Sequence, residues 1–303
     1  MGFLSATTGG LPTWSPKTDL DARGEPLHSP YSLYEKRYSD VAGGYAACDN
    51  GHGDIDYADV VPDSSLRKDL FQALAEFVGV TLMMFTTWMA NSAAARQNES
   101  TGEGQSYMTG SIGSAFGAAM ACFCVMPISG AALNPAVVVS LVVAGIMPLR
   151  KAGLYIVAEV LGGIMAAWMT IVFTPNTFIG ANVVAYGVSR LQAFCLEVLM
   201  TAFLCLVVLA LVTDKGPTMA GPVIIAIFVW LAHLDLIPFT GCSMNPASSI
   251  GGAIGEGQWA NLWLFIFGPS IGGVVGSAIF MFFKYHGFAR VENPFSDRPI
   301  SVV

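Results

Sequence analysis

Six stretches of apolar residues, each about 20 residues long, constrain the fold of this chain more than any other feature of its sequence. They cover residues 67–90, 107–127, 151–172, 190–212, 218–237 and 259–284. A helix of about 20 residues crosses the hydrocarbon core of a bilayer, where lipid leaves backbone polar groups no partner outside the helix itself. Only 12% of the residues are charged, about half the fraction usual in soluble domains. The sequence therefore predicts six transmembrane helices.

Two shorter apolar stretches, 134–143 and 245–254, lie between the second and third and between the fifth and sixth long stretches. Helices of about ten residues are too short to span a bilayer, so these stretches are predicted to be re-entrant half-helices. Each half of the chain then holds three spans and one half-helix, and an odd number of spans inverts the second half relative to the first. The predicted fold class is an all-α membrane protein with six transmembrane helices plus two re-entrant half-helices in an inverted repeat.

Charge divides the chain into three regions. Residues 1–65 hold ten acidic and four basic residues and are predicted to be an acidic N-terminal tail. Residues 66–284 form the predicted membrane domain, and residues 285–303 a C-terminal tail. With the N-terminus inside, eight Lys and Arg residues of the rest of the chain collect on one side and two on the other, which favours the cytoplasm for both termini. The eight are Arg67, Lys68, Arg150, Lys151, Lys215, Lys284, Arg290 and Arg298, and the two are Arg96 and Arg190.

The tripeptide Asn-Pro-Ala occurs twice, at matching places in the two halves. Its residues are Asn134, Pro135 and Ala136 in the first copy and Asn245, Pro246 and Ala247 in the second. Asn is a favoured helix N-cap and Pro suits the first helical position, so each copy is predicted to start a half-helix. In an inverted repeat the two positive helix ends meet near the bilayer centre, where the asparagine amides can donate to a passing molecule. Two capping turns without any pore are the alternative interpretation.

These motifs, with Ala75-Glu76-Phe77, Ile237 to Gly241 and Phe267-Gly268-Pro269, resemble the aquaporin (major intrinsic protein) family over about residues 66–284. The resemblance implies a passive channel for water and small neutral solutes, homotetrameric and without cofactor or metal. It also implies that Glu76 and Glu197 brace the re-entrant loops by accepting backbone N–H bonds. Glu159 departs from the family, which more often has a neutral amide there, and no role is assigned to it.

The family's selectivity filter is a narrow ring on the outer side of the pore, and the resemblance places candidate members of it. His233 and Cys242 precede the second motif, at filter positions of the family. Ser248 stands where the family normally has an arginine, which predicts a wider ring that repels cations less. The second span supplies either Phe116, by local pattern, or Ser114, by ungapped counting.

The predicted function is therefore a passive transmembrane channel for water and other small neutral solutes, with an atypical filter. One alternative is a membrane protein of the same fold that conducts little and binds a partner, and another is a proton-coupled transporter that uses Glu76 or Glu197. An enzyme is not predicted, because no nucleophile–base pair or metal-ligand cluster is present in the sequence. Nucleic-acid binding is not predicted either. The chain is expected to be multi-pass, in the plasma membrane or an internal membrane.

Overall fold

Eight helices make up the regular structure of the part of the chain that the computed structural model describes, residues 66–101, 106–174, 178–213 and 220–286. Six of these helices are long and apolar enough to cross a membrane, and the two short ones begin at Pro135 and Pro246. The predicted fold class is confirmed. In chain order the helices are α1 (Leu66–Thr101), α2 (Ser106–Ser129), α3 (Pro135–Val143), α4 (Leu149–Phe173), α5 (Arg190–Thr213), α6 (Gly221–Thr240), α7 (Pro246–Glu256) and α8 (Leu262–Tyr285).

The helix boundaries differ most from the predicted spans in α1, α6 and α8. Helix α1 continues to Thr101, although its apolar stretch ends near residue 90. Residues 91–101 include three consecutive alanines, an arginine and a glutamine, which are good helix formers and let the helix extend past its apolar part. Helix α6 begins at Gly221, with a proline in its first turn, and α8 begins at Leu262. The predicted tails, residues 1–65 and most of 285–303, lie outside the described residues.

The helices pack as two similar halves, α1 to α4 and α5 to α8. In the first half α1 packs against α2 and α4, and in the second half α5 packs against α6 and α8. Helices α2 and α6 contact one another across the boundary between the halves. Each half-helix packs mainly against a long helix of the opposite half, α3 against α8 and α7 against α4. This exchange brings the starts of α3 and α7 together inside the molecule.

Two glycines allow the half-helices to approach the long helices closely. A β-carbon added to Gly163 on α4 would overlap the carbonyl oxygen of Ala247. A β-carbon added to Gly273 on α8 would overlap the carbonyl oxygen of Ala136 in the same way. The backbone of each half-helix therefore rests on a long helix at a place where no side chain fits. The two motifs are fixed in position from behind by this packing.

Candidate functional site

The two half-helices begin with the same capping geometry. Asn134 and Asn245 have extended backbone conformations, and each is followed by a proline at the start of the helix. The side-chain oxygen of Asn134 accepts a hydrogen bond from the backbone N–H of Ala136 at 2.9 Å, and that of Asn245 accepts from Ala247 at 3.0 Å. The caps satisfy donors that the helix itself leaves unpaired. They also fix which way each asparagine amide nitrogen points.

The amide nitrogens of the two asparagines reach across to the opposite motif. Nδ2 of Asn134 donates to the carbonyl oxygen of Met244 at 2.8 Å, and Nδ2 of Asn245 donates to the carbonyl oxygen of Leu133 at 2.9 Å. These reciprocal bonds join the residues that precede each half-helix and hold the two positive helix ends together. An amide NH2 carries two hydrogens, so each asparagine retains a second donor for another acceptor.

The loops that lead into the half-helices have an unusual backbone in both halves. Ala131 and Leu133 have φ angles of 55° and 53°, and Cys242 and Met244 have φ angles of 55° and 47°. The left-handed region costs a residue other than glycine roughly 1–2 kcal/mol, so four such residues must be held by strong contacts. The alternation of backbone conformation leaves consecutive N–H groups that need acceptors.

Buried glutamates accept those N–H groups. Glu76 on α1 accepts from Ala132 at 3.2 Å and from Leu133 at 2.7 Å. Glu197 on α5 accepts from Ser243 at 3.0 Å and from Met244 at 2.8 Å. Both carboxylates are fully buried. Charge-assisted hydrogen bonds of this kind offset the backbone strain of the loops and the cost of burying a carboxylate.

Hydroxyl groups complete the support of the second loop. The Thr240 hydroxyl donates to the carboxylate of Glu197 at 2.6 Å and accepts from the N–H of Cys242 at 3.1 Å. In the first loop Ser129 holds the corresponding place, and its hydroxyl accepts from the N–H of Ala131 at 3.2 Å. The sequence pattern did not single out these hydroxyls, although their equal spacing from the two motifs is a signal that could have identified them.

Glu159, which had no role on sequence grounds, contributes directly to the first motif. Its Oε1 accepts the backbone N–H of Asn134 at 2.9 Å, and its side chain is fully buried on α4. The corresponding N–H of Asn245 instead points to the hydroxyl of Ser243 at 3.4 Å. The two halves therefore differ at this bond, and the first loop contacts two carboxyl groups while the second contacts one.

The candidate filter residues that follow α5 lie near the C-terminal end of α6 and at the start of α7. His233 is half-buried, and its Nδ1 donates to the carbonyl oxygen of Val229 at 2.8 Å, because a carbonyl can only accept. This bond fixes the ring and leaves Nε2 as its second polar atom. The thiol of buried Cys242 donates to the carbonyl of Ala232, the neighbour of His233, at 3.4 Å. Ser248 is half-buried in the first turn of α7.

The two candidates of the second span, Phe116 and Ser114, lie on different faces of α2. Two-thirds of the Phe116 side chain is exposed, and it shares an outward-facing stripe of α2 with Met120 and Phe123. The alternative, Ser114, is buried on the inward face. A β-carbon on Gly110, one turn before Ser114, would contact Ile237 of α6, one turn after His233. Two residues along a helix turn a side chain to the opposite face, so the structure favours Ser114 over Phe116 for the filter position of the second span.

The loop between α4 and α5 is attached to the second half-helix, α7. The carboxylate of Glu256, at the end of α7, accepts the N–H groups of Gly180 and Ala181. The hydroxyl of Ser249 donates to the side-chain oxygen of buried Asn182 at 2.8 Å. Ser249 follows Ser248 directly, so this loop borders the first turn of α7. Sequence analysis missed these residues, since nothing in their spacing marks a contact between such distant segments.

Three comparisons with known proteins converge on the region that holds both half-helices. A sequence profile described as Major intrinsic protein matches residues 64–280. Aquaporin-1 of Homo sapiens is 34% identical over 231 residues, which cover 72% of this chain and 84% of that protein. Aquaporin-1 of Mus musculus is 32% identical over 246 residues, 78% of this chain and 89% of the relative. The solved aquaglyceroporin from Plasmodium falciparum has the same fold, with a TM-score of 0.63 at 19% identity over 74% of this chain and 98% of that one.

Proposed function

Because the chain belongs to the major intrinsic protein family and is a membrane channel for water or small solutes, we propose that it is a passive water pore with an atypical filter. Solute would pass between the two half-helices and through an outer ring that contains His233, Cys242, Ser114 and Ser248. The neutral hydroxyl of Ser248 in place of an arginine makes this ring less selective, so that small neutral solutes other than water also pass.

The observation that carries this proposal is the pair of reciprocal bonds between the motifs. Asn134 and Asn245 each donate one amide hydrogen to the opposite loop and retain the second for an acceptor in the pore. A passing water can accept from both asparagines, whose side-chain oxygens already accept from the backbone N–H groups of Ala136 and Ala247. A water molecule oriented by these two donors interrupts proton transfer along the file of waters. The two positive helix ends repel cations. Passive flux of neutral molecules is the function that fits this arrangement.

His233 and Ser248 have opposite effects on the width of the outer ring. The imidazole of His233 occupies space and is held by its bond to Val229, which disfavours larger polyols. Ser248 offers one small rotating hydroxyl instead of a planar fork of charged donors. Efficient water flux with limited passage of glycerol is the combination expected from these two residues.

Stopped-flow light scattering on proteoliposomes tests the proposal. The wild-type protein is compared with Ser248→Arg and with the matched control Ser248→Ala under water and glycerol gradients, with empty liposomes as the baseline. Fast water flux in the wild type and in the alanine variant, with glycerol exclusion improved only by arginine, would support a filter widened at Ser248. Water flux at the level of empty liposomes in all three proteins would contradict the water pore and favour a partner-binding role for the same fold.

We further propose a homotetramer with both termini in the cytoplasm. Large apolar side chains remain exposed on the outer faces of several spans, among them Phe116, Trp168 and Phe203, and these faces can meet lipid or a second copy. The excess of Lys and Arg on one side supports the orientation. Cross-linking in native membranes and protease accessibility of terminal tags would test the assembly and the orientation separately.

A further inference from the structure

The carboxyl groups of Glu76 and Glu159 lie together in a buried site next to the first Asn-Pro-Ala motif. Glu76 receives the N–H groups of Ala132 and Leu133, and Glu159 receives the next N–H along the chain, that of Asn134. The two carboxyl groups are close enough to hydrogen bond with one another. Both side chains have no exposed surface. Three consecutive backbone donors are therefore divided between two acidic side chains that touch.

One carboxyl oxygen in this place lacks a partner. Oε2 of Glu159 is buried and has no hydrogen-bond partner among the described residues. A carboxylate buried with an unpaired oxygen is costly, whereas a protonated carboxyl group can donate from that oxygen to the neighbouring carboxylate. The geometry therefore suits an acid at Glu159 and a carboxylate at Glu76.

The surrounding charges favour one negative charge rather than two. Lys151, two turns before Glu159 on α4, is the positive side chain that attracts Glu76, and its ammonium also lies over the ring of Tyr155. From α2, the Ser129 hydroxyl bonds to Glu76, and the neutral thiol of Cys122 lies near the same carboxylate. The N-terminal end of α3 adds a partial positive charge at Asn134. Two touching carboxylates in a buried site cannot both be ionised without further positive charge.

The second half of the chain supplies an internal comparison. Glu197 receives two N–H groups and the Thr240 hydroxyl, and the N–H of Asn245 points to the neutral hydroxyl of Ser243. The second motif is therefore held by one carboxylate and neutral groups. If Glu159 is protonated, the first motif is held in the same way, by one carboxylate and one neutral acceptor.

We propose that Glu76 and Glu159 share a single proton, so that Glu159 holds the N–H of Asn134 as a neutral carboxylic acid and acts as a positioning residue for the first pore asparagine. When the proton leaves, the unpaired second charge pushes the carboxyl groups apart and shifts Asn134. Flux through the pore then falls at alkaline pH. This proposal refines the proposed pore, but the shared proton itself can be observed without any measurement of flux.

Infrared difference spectroscopy of the reconstituted full chain tests the shared proton. At neutral pH the wild type is expected to show the carbonyl band of one buried protonated carboxyl group, and the band should disappear on alkalinisation. Glu159→Gln is expected to remove it, because Glu76 then stands alone as a carboxylate. Glu256→Gln, which changes an exposed carboxylate, serves as the control and should leave the band in place.

The flux profile separates a positioning role from a merely structural one. Glu159→Gln keeps an oxygen for Asn134 and an NH2 group for Glu76, so flux should be retained and should no longer fall at alkaline pH. Glu159→Leu should lose both flux and thermal stability. Absence of the protonated band in the wild type, or its persistence in Glu159→Gln, would overturn the proposal. If the carbonyl band of the protonated carboxyl group behaves as expected while water flux is absent at every pH, the shared proton is supported and the proposed water pore is contradicted.

Discussion

The side-chain amide of Asn134 donates to the backbone carbonyl of Met244, 110 positions further along the chain, at 2.8 Å. The reciprocal bond from Asn245 to Leu133 has nearly the same length, 2.9 Å. Each asparagine therefore caps its own half-helix with its oxygen and fastens the opposite loop with its nitrogen. Each asparagine thus makes both the local capping bond and the long-range bond to the opposite loop. Mutation can separate these two functions.

The Asn134→Ser substitution should separate the capping of α3 from the bond to the opposite loop. Serine is as good an N-cap as asparagine, so α3 still starts normally, but its hydroxyl cannot reach Met244 while it caps the helix. The buried carbonyl of Met244 loses its donor, which should lower the free energy of unfolding by about 1–3 kcal/mol. Thermal unfolding in detergent measures the loss, and stopped-flow scattering measures the accompanying fall in water flux. Asn245→Ser should behave alike, and a loss confined to one variant would contradict the reciprocal role.

Alanine at Gly163 should displace the second half-helix. The new methyl group would press on the carbonyl oxygen of Ala247, which belongs to backbone and cannot move alone. Overpacking of this kind costs about 1–3 kcal/mol, so both stability and flux should fall, and Gly273→Ala should have the same effect on α3. Gly153 lies on α4 with no neighbour near its added β-carbon, so Gly153→Ala should be neutral or stabilising. Equal melting temperatures for the three variants would exclude close packing as the role of these glycines.

The Thr240→Val substitution should weaken the loop that leads into the second half-helix, α7. Valine keeps the shape of threonine but removes the hydroxyl that links Glu197 to the N–H of Cys242. The unpaired N–H and the lost charge-assisted bond should cost about 1–3 kcal/mol, seen as a lower melting temperature. Thr201 is the matched control, because its buried hydroxyl has no hydrogen-bond partner among the described residues. Thr201→Val should leave stability unchanged or raise it, and a larger loss there than at position 240 would contradict this interpretation.

The Glu256→Gln substitution should loosen the loop between α4 and α5. The charge that holds the N–H groups of Gly180 and Ala181 disappears, and neutral hydrogen bonds are about half as strong as charged ones. Hydrogen exchange by mass spectrometry should show faster exchange in peptides covering residues 178–189. Ser249→Ala should act on the same peptides through Asn182. Peptides around residues 130–134 provide the internal control, and uniform acceleration across both regions would point to global destabilisation instead.

The sequence by itself determined the elements of this protein. Spans of about 20 apolar residues must be helical in lipid, and an Asn-Pro pair starts a helix through contacts within one turn. The six spans, both half-helices and their caps follow from these short-range effects, and the repeat of the motif indicated the inverted arrangement. The sequence left one choice within a helix open, Phe116 or Ser114, where local similarity and residue counting disagree. The exposed face of α2 favours Ser114 there.

Only the tertiary structure decided which distant groups meet. The bond from Asn134 to Met244, the bond from Glu159 to the first motif and the attachment of Asn182 to Ser249 join residues that are 25 to 110 positions apart. Such contacts depend on how deeply each helix packs against the others, and for this the approach distances at Gly163 and Gly273 matter more than any pattern of hydrophobic residues. The sequence specifies the helices through local energetics, whereas their packing determines which donors meet which acceptors.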